Sequence, residues 1–490
     1  MKKITLSILV ALLVVLSSTG QEYTTPNTGV VWTLDDIAAA SPTTVTVSGS
    51  DYSLLENLII AENDTFMVDS DLTLSIAADL RITIFGTFTV DSDEVTFTAI
   101  DETAPYKGFR FEENSVVNIQ NATITYGGGL RVLNEDFTIN NSTLSYNVSG
   151  ISTGAVISLS GGMPQITNNT FTFNETPAVS SAANRQVSAY IFNNYIEANN
   201  QSNSNRPQIN MGTTMATDTL KIIQNTIIGD PAVPRAGGIA VSNLTGGSLL
   251  AIIDDNIIQG NRYGITVVGA NAFAYIRNNI IEDNNTEGNP AIGGSGISIN
   301  TNSGSHLVVA SGNEIRRNLW GITVIGEAMI NLGDDEDNPG ENIFSENGNG
   351  GQTYALYNNS PHPIMAKHNC WVEGVINTAE DVEDVIFHSV DDDSLGEVNF
   401  EPFLCGETVG VEDHTLASFG FYPNPVSNEI YFNNNHAFEK VEIYGIQGNL
   451  ISSEEILEGP QNLEINLPAG IYFVNFSNNN VNITKKMIVK

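Results

Sequence analysis

Side chains able to do chemistry are sparse in this sequence, and most fall into a few groups. It has ten arginines in 490 residues, yet Arg262, Arg277, Arg316 and Arg317 lie within one 56-residue stretch. A guanidinium fork suits a carboxylate, so the four fit an acidic-sugar site; charge balance on an acidic surface is the alternative. Tyr263 and Trp320 hold the same place in two near-identical phrases. Rings so placed could stack on the apolar faces of a glycan, or could simply cover the core. The loop LGDDEDNPGE carries Asp334, Asp335, Glu336 and Asp337. Calcium, a hard cation that takes oxygen ligands, is the cofactor such a loop would hold. The alternating spacing of a calcium loop is missing, so a solvated loop is the plainer reading, as it is for Asp391, Asp392 and Asp393. Asp254 and Asp255 are the paired acids on a coil body, and glycoside hydrolysis needs two carboxyls about 5 to 9.5 Å apart on one face. No Ser-His-Asp set, phosphate loop, Cys-His pair or zinc spacing stands out, and no cofactor is required.

The elements that position these residues are read from a duplication. NRYGITVVG begins at Asn261 and NLWGITVIG at Asn318, 57 residues later. Each follows a related phrase, DNIIQGN from Asp255 and GNEIRRN from Gly312, which gives the joint pattern N-x-I-x-x-N-x-x-G-I-x-V. The apolar residues alternate as in a strand, and a glycine leads each strand, which suits a sharp corner. The phrase recurs in weaker form at Asn121, Asn141, Asn169, Asn194, Asn225, Asn256, Asn279, Asn313, Asn342 and Asn369, at intervals of 20 to 34 residues. A fixed phrase at a variable interval describes loops of different length on a regular solenoid. The two long copies are then two coils apart, and Tyr263 and Trp320 would stand roughly 10 Å from one another.

This pattern resembles the right-handed parallel β-helix superfamily, the pectate-lyase-like solenoids, over residues 70–405. The resemblance implies an all-β, single-stranded solenoid in which inward Ile, Val, Leu and Phe stack into columns. An asparagine at the same corner of each coil would bond the corner backbone and its neighbours above and below. The ladder Asn169, Asn194, Asn225, Asn256, Asn279, Asn313 and Asn342 is therefore expected to be structural. Polysaccharide lyases of this superfamily use a basic side chain on a β-helix face, usually with calcium, which gives the arginines a second meaning. The sequence phrases of the polygalacturonases are missing, and the fold itself names no activity.

Composition narrows the partners. A formal charge of −37 with a pI near 4.2 excludes nucleic acid and anionic lipid as main partners. With only 15% charged residues and apolar residues in register, the chain is folded rather than disordered. Cys370 and Cys405 could close a 35-residue loop and pin the last coil in an oxidising compartment.

The ends carry addresses. Residues 1–20, MKKITLSILVALLVVLSSTG, read as a secretory signal peptide, and nothing downstream is long and apolar enough to span a membrane. Residues 21–69 are expected to form an N-terminal cap and first strands, with WTLDDIAAASP as a capping helix over the open end. After a linker at 406–418 the asparagine phrase is gone, and residues 419–490 alternate as strands with turns between them. Four phrases there resemble the C-terminal sorting domain of Bacteroidota type IX secretion substrates: Tyr422-Pro423-Asn424-Pro425, Tyr444-Gly445 through Gly448, Leu467-Pro468-Ala469-Gly470-Ile471-Tyr472, and the closing Lys485-Lys486-Met487-Ile488-Val489-Lys490. The resemblance implies a small β-sandwich, the type IX machinery as partner, and a product that is secreted or held on the outer surface. The sequence therefore reads as a monomeric exported β-helix, non-catalytic and glycan-binding or adhesive. A polysaccharide lyase or glycoside hydrolase acting on acidic polysaccharide is the alternative.

Overall fold

The computed structural model describes residues 22–149, 154–303 and 305–405 and, between 420 and 490, all but 423, 425, 435–437, 446–447, 458 and 479–481. The leader at 1–20 and the linker at 406–418 lie outside the described residues. The chain divides into two compact units, Met1–Gly406 and Glu407–Lys490.

The first unit is a parallel β-helix. Each coil visits three sheets in a fixed order. Sheet 1 runs from Glu22–Thr24 to Ile386–Phe387, sheet 2 from Val31–Trp32 to Val398–Asn399, and sheet 3 from Val45–Ser48 to Ile343–Ser345. Among the described residues they hold 14, 14 and 13 strands. All pairings within them are parallel except that of Val45–Ser48 with Asp51–Leu54. That antiparallel strand closes one edge of sheet 3, where an open edge would invite pairing with another chain. Sheet 1 already pairs Glu22–Thr24 with Asn57–Ile60, so the coils begin within the segment 21–69. The helix Leu34–Ala40 starts at a capping box on Thr33 and Asp36 and buries Leu34 and Ile37 over the end of the core.

Inward positions alternate along every strand. Phe66, Phe88, Phe97, Phe109, Phe111 and Phe137 stack through the first coils, with Phe88 and Phe111 ring centroids 5.9 Å apart. Ile and Val take over later, in columns such as Ile239, Ile265, Ile297 and Ile322.

The corners explain the asparagines. Asn256 donates its N–H and its Nδ2 to Oδ1 of Asn279 (3.0 and 2.9 Å), and Asn279 does the same to Asn313 (3.1 and 2.9 Å). The same link joins Asn169, Asn194 and Asn225 to Asn256, and Asn313 to Asn342 and Asn369. All are buried at the turn from sheet 2 to sheet 3. Asn121 and Asn141 sit one residue earlier in the coil. They occupy the left-handed residue of the corner (φ 54° and 50°), and the inward positions there are Ala122 and Ser142.

A second ladder runs five residues on, at the turn from sheet 3 to sheet 1. It comprises Asn147, Asn174 and Asn199, then Asn261, Asn284, Asn318 and Asn347. One coil lacks the asparagine and has Asp230 at that place. Gln208 crosses from sheet 1 to fill the gap, accepting from Asn199 (3.1 Å) and donating to Asn261 (2.9 Å). Of the strand-leading glycines, Gly108 and Gly129 take the positive φ expected of a corner (93° and 77°), and the later ones have a different cause. Gly264, Gly296 and Gly321 do not need positive φ; a Cβ on Gly264 would lie 2.4 Å from the carbonyl of Gly296 and 2.5 Å from Ile281. The coils pass too closely there for a side chain.

Among its described residues, the second unit has one three-stranded and one four-stranded antiparallel sheet around a shared core of Val426, Ile430, Phe432, Phe438, Val441, Ile443, Val474, Phe476 and Met487. Asn424 ties its own loop to the last strand, donating to the Lys486 carbonyl and accepting from Ile488 N–H, both at 2.9 Å.

Candidate functional site

The outer surfaces of the three sheets are bounded differently. Sheets 2 and 3 meet at two-residue corners such as 255–256 and 278–279. Sheet 1 has long loops along both edges: 182–189, 212–219 and 244–248 lead on to sheet 2, while 198–206, 229–236 and 283–294 arrive from sheet 3. Its outer face is thus a channel floor between loops, the place on a regular scaffold where binding collects. The loops close over one part of it. Ser158 and Ser180 point away from the core yet are 2% and 8% exposed, and Gly154 packs against Ser180 and the Arg206 guanidinium.

Down the middle of that face one outward position repeats from coil to coil. It runs from Ile59 and Thr83 into Arg110 and Arg131 and continues through Ser158, Ser180 and Asn210. Ala240, Thr266, Ser298 and Thr323 follow, and the column ends in Tyr357 and Phe387. The last two rings stack at 4.5 Å with 5° between their planes. Trp320 lies beside them, 4.9 Å from Tyr357 and 4.7 Å from Tyr354. All four rings are half-buried, so each keeps an edge or face toward the channel.

Tyr263 does not join this cluster. Register places it two coils before Trp320, with Ser295 between. Its ring is folded back into the space over Gly237, where a Cβ would meet the ring at 2.2 Å. Burial pushes its hydroxyl pKa up to about 12. The expected pair of rings is therefore one covering ring, Tyr263, and one member of a different cluster, Trp320.

The four arginines are not on one face. Arg262 is buried at the corner before sheet 1 and ties loop 283–294, through Glu287 and the Ile292 carbonyl, to Asn205 in loop 198–206. Arg277 is on the outer face of sheet 2, 3.5 Å from Asp254 and over the Tyr275 ring. Arg316, at the end of a sheet 3 strand, forks onto both oxygens of Glu373 at 2.7 Å and meets Glu314. Arg317, at the adjoining corner, binds Asp283 at 2.8 and 2.9 Å and also Glu282. Each is neutralised by carboxylates of its own or neighbouring coils, which corrects the expectation of a shared acidic-sugar site.

The acidic loop is held by its own turn. Asp334 Oδ1 accepts from the N–H groups of Asn338, Glu336 and Asp337, each at 2.9 Å, and the Asn338 bond, the Asn331 amide on its other oxygen and the remaining two bring its pKa down to about 2. Asp335 meets Lys367 and His368. Among the described residues, no three His, Cys, Asp or Glu side chains gather as metal ligands, Asp337 included. Asp254 belongs to the Arg277 pair, while Asp255 is a left-handed corner residue accepting from Gln224. Cys370 and Cys405 are joined in a disulfide across the final coils.

Two features of the channel were not singled out from sequence. The aromatic partners Tyr354, Tyr357 and Phe387 lie in weakly patterned closing coils. Arg110 and Arg131 did leave a signal: GFRF and GLRV put an arginine two residues after a leading glycine in successive strands.

Comparison with known proteins bears on the second unit and only loosely on the first. Residues 420–490 match the family described as a secretion system C-terminal sorting domain. No curated protein matches the chain. A solved structure titled the Dettilon tailspike protein (gp208) aligns over 67% of this chain and 68% of its own, at 16% identity and a TM-score of 0.28. The protein is a parallel β-helix carrying a type IX secretion sorting domain, which implies export to the cell surface or the medium.

Proposed function

We propose that the exported solenoid is a non-catalytic glycan-binding or adhesive protein, and that the glycan lies along the outer face of sheet 1. The observation that carries this reading is the pair of outward hydroxyls Thr266 and Ser298, running in register through the buried Thr323, whose hydroxyl pairs with that of Ser295, into the Tyr357 and Phe387 stack beside Trp320. Sugars present both kinds of surface, hydroxyls that exchange hydrogen bonds and C–H faces that lie on rings. Specific sites combine an apolar wall with a few placed polar groups in the same way. The loops on either side would keep an extended ligand in line.

The test is a panel of neutral and acidic oligosaccharides titrated against the full mature chain. Tyr357→Ala and Trp320→Ala should each weaken binding about tenfold or more, the usual cost of removing a central aromatic anchor. Unchanged affinity in both variants would sink the reading. The second reading, a lyase or hydrolase for acidic polysaccharide, draws on Arg110 and Arg131 at the other end of the channel. Chain shortening or an unsaturated product in the same assay would favour it.

A further inference from the structure

At the end of the channel away from the rings there is a cavity of about 730 Å³ between the edge of sheet 1 and the loops leading to sheet 2. Arg131 and Arg185 both line it, and Arg110 is the register partner of Arg131. Arg110 forks onto Glu112. Arg131 and Arg185, by contrast, have no carboxylate within ion-pair distance among the described residues. Arg81, Arg206 and Arg235 likewise form no ion pair among the described residues; what sets Arg131 and Arg185 apart is that both line one cavity. The Ser160 hydroxyl also lines the cavity, and it is a buried oxygen without a hydrogen-bond partner. Such an atom has a cost unless something completes it. Glu113, Glu135 and Asp136 line the same cavity, with Glu135 packed beside Gly161. A bare inorganic anion would be repelled by those carboxylates. A sugar bearing one anionic group would offer its charge to the guanidinium groups and its hydroxyl protons to the carboxylates.

We propose that this cavity is a subsite for an acidic sugar unit, with Arg131 and Arg185 holding its carboxylate or sulfate and Ser160 completing one of its hydrogen bonds. The proposal rests on the reading that sheet 1 is the glycan channel, and it names the class of glycan. Burial, first, and the neighbouring Arg110 and Arg185 hold the Arg131 guanidinium below its ordinary pKa range.

The experiment is calorimetric titration of the full mature chain, at one fixed salt concentration, with three oligosaccharides of equal length: an oligogalacturonate, a chondroitin sulfate fragment and a neutral glucan. The acidic ligands should bind more tightly than the neutral one, and whichever acid binds better identifies the anion. Arg131→Gln and Arg185→Gln should each lower acidic-ligand affinity about tenfold or more, the worth of a charged hydrogen-bond pair. Neutral-ligand affinity should stay within about twofold, a change too small to count as a lost contact. Arg131→Lys should recover part of the lost affinity, since it keeps the charge without the fork, and Ser160→Ala should lower acidic-ligand affinity by less than either glutamine variant. The proposal is overturned if the glutamine variants bind acidic ligand like the wild type, if the neutral ligand binds as well as the acidic ones, or if no acidic ligand binds. Loss of all binding in Tyr357→Ala with Arg131→Gln unaffected removes the subsite and keeps the channel. The opposite pattern keeps the subsite and removes the aromatic end.

Discussion

Asparagine does two jobs at each corner, and they are separable at single positions. The inward residue, as at Asn279, completes a buried polar chain. The residue before it, as at Asn278, adopts positive φ and faces solvent. Asn279→Ala removes the acceptor of the Asn256 N–H and Nδ2 and the side-chain donor to the Ile253 carbonyl, while the Arg277 carbonyl still accepts from the Asp255 N–H. Its expected cost is roughly 3 kcal/mol, measured as a shift in the urea midpoint. Asn141→Gly, at the exposed left-handed residue, should change stability by less than about 0.5 kcal/mol. The inner ladder was legible because N-x-I repeats with the strand. Its register at Asn121 and Asn141 was not, because an asparagine there suits the outer corner just as well. Gln208 was beyond reading, since it acts 53 residues from its partner Asn261. The arginines misled for a related reason. Spacing along the chain brought them near in sequence, but their partner acids belong to loops whose path only the fold defines.

At the scale of the strand, close packing rather than turn chemistry selects glycine at 264, 296 and 321. Gly264→Ala should therefore destabilise the solenoid by roughly 1–3 kcal/mol, as overpacking does, seen as a lower melting temperature. His306 makes a second test within sheet 2. It is fully buried, and burial holds its pKa below the ordinary imidazole value of 6.5. Its folded pKa is depressed, so the unfolded chain binds the proton more readily. The stability it supports is present above the unfolded pKa and falls as pH drops through and below it. Denaturation followed between neutral pH and pH about 5 should show a loss that His306→Gln removes; equal slopes in both proteins would contradict this. Strand alternation and the two-coil spacing of the duplicated phrases were readable because each rung obeys the same pattern. Which face carries the site was not readable, since it depends on where long loops fall around the coil.

As a whole molecule the protein joins a solenoid with its own core to a sorting domain with a separate one. A chain ending at Ser418 should fold, with the cooperative unfolding of the solenoid intact, and should fail to reach the cell surface; normal surface delivery would contradict the sorting role. The sorting domain was legible because its closing phrases carry family-specific residues. The ligand was not legible, because hydroxyls, rings and arginines of the channel come from strands scattered between residues 110 and 387. The central claim is that a glycan occupies the outer face of sheet 1. It is tested most directly by hydrogen exchange on the full mature chain with and without the tightest-binding oligosaccharide. Protection should rise in loops 182–189 and 283–294 and around Trp320 and Tyr357. Protection confined to the exposed Phe273 and Tyr275 face of sheet 2, or to the sorting domain, would contradict the account.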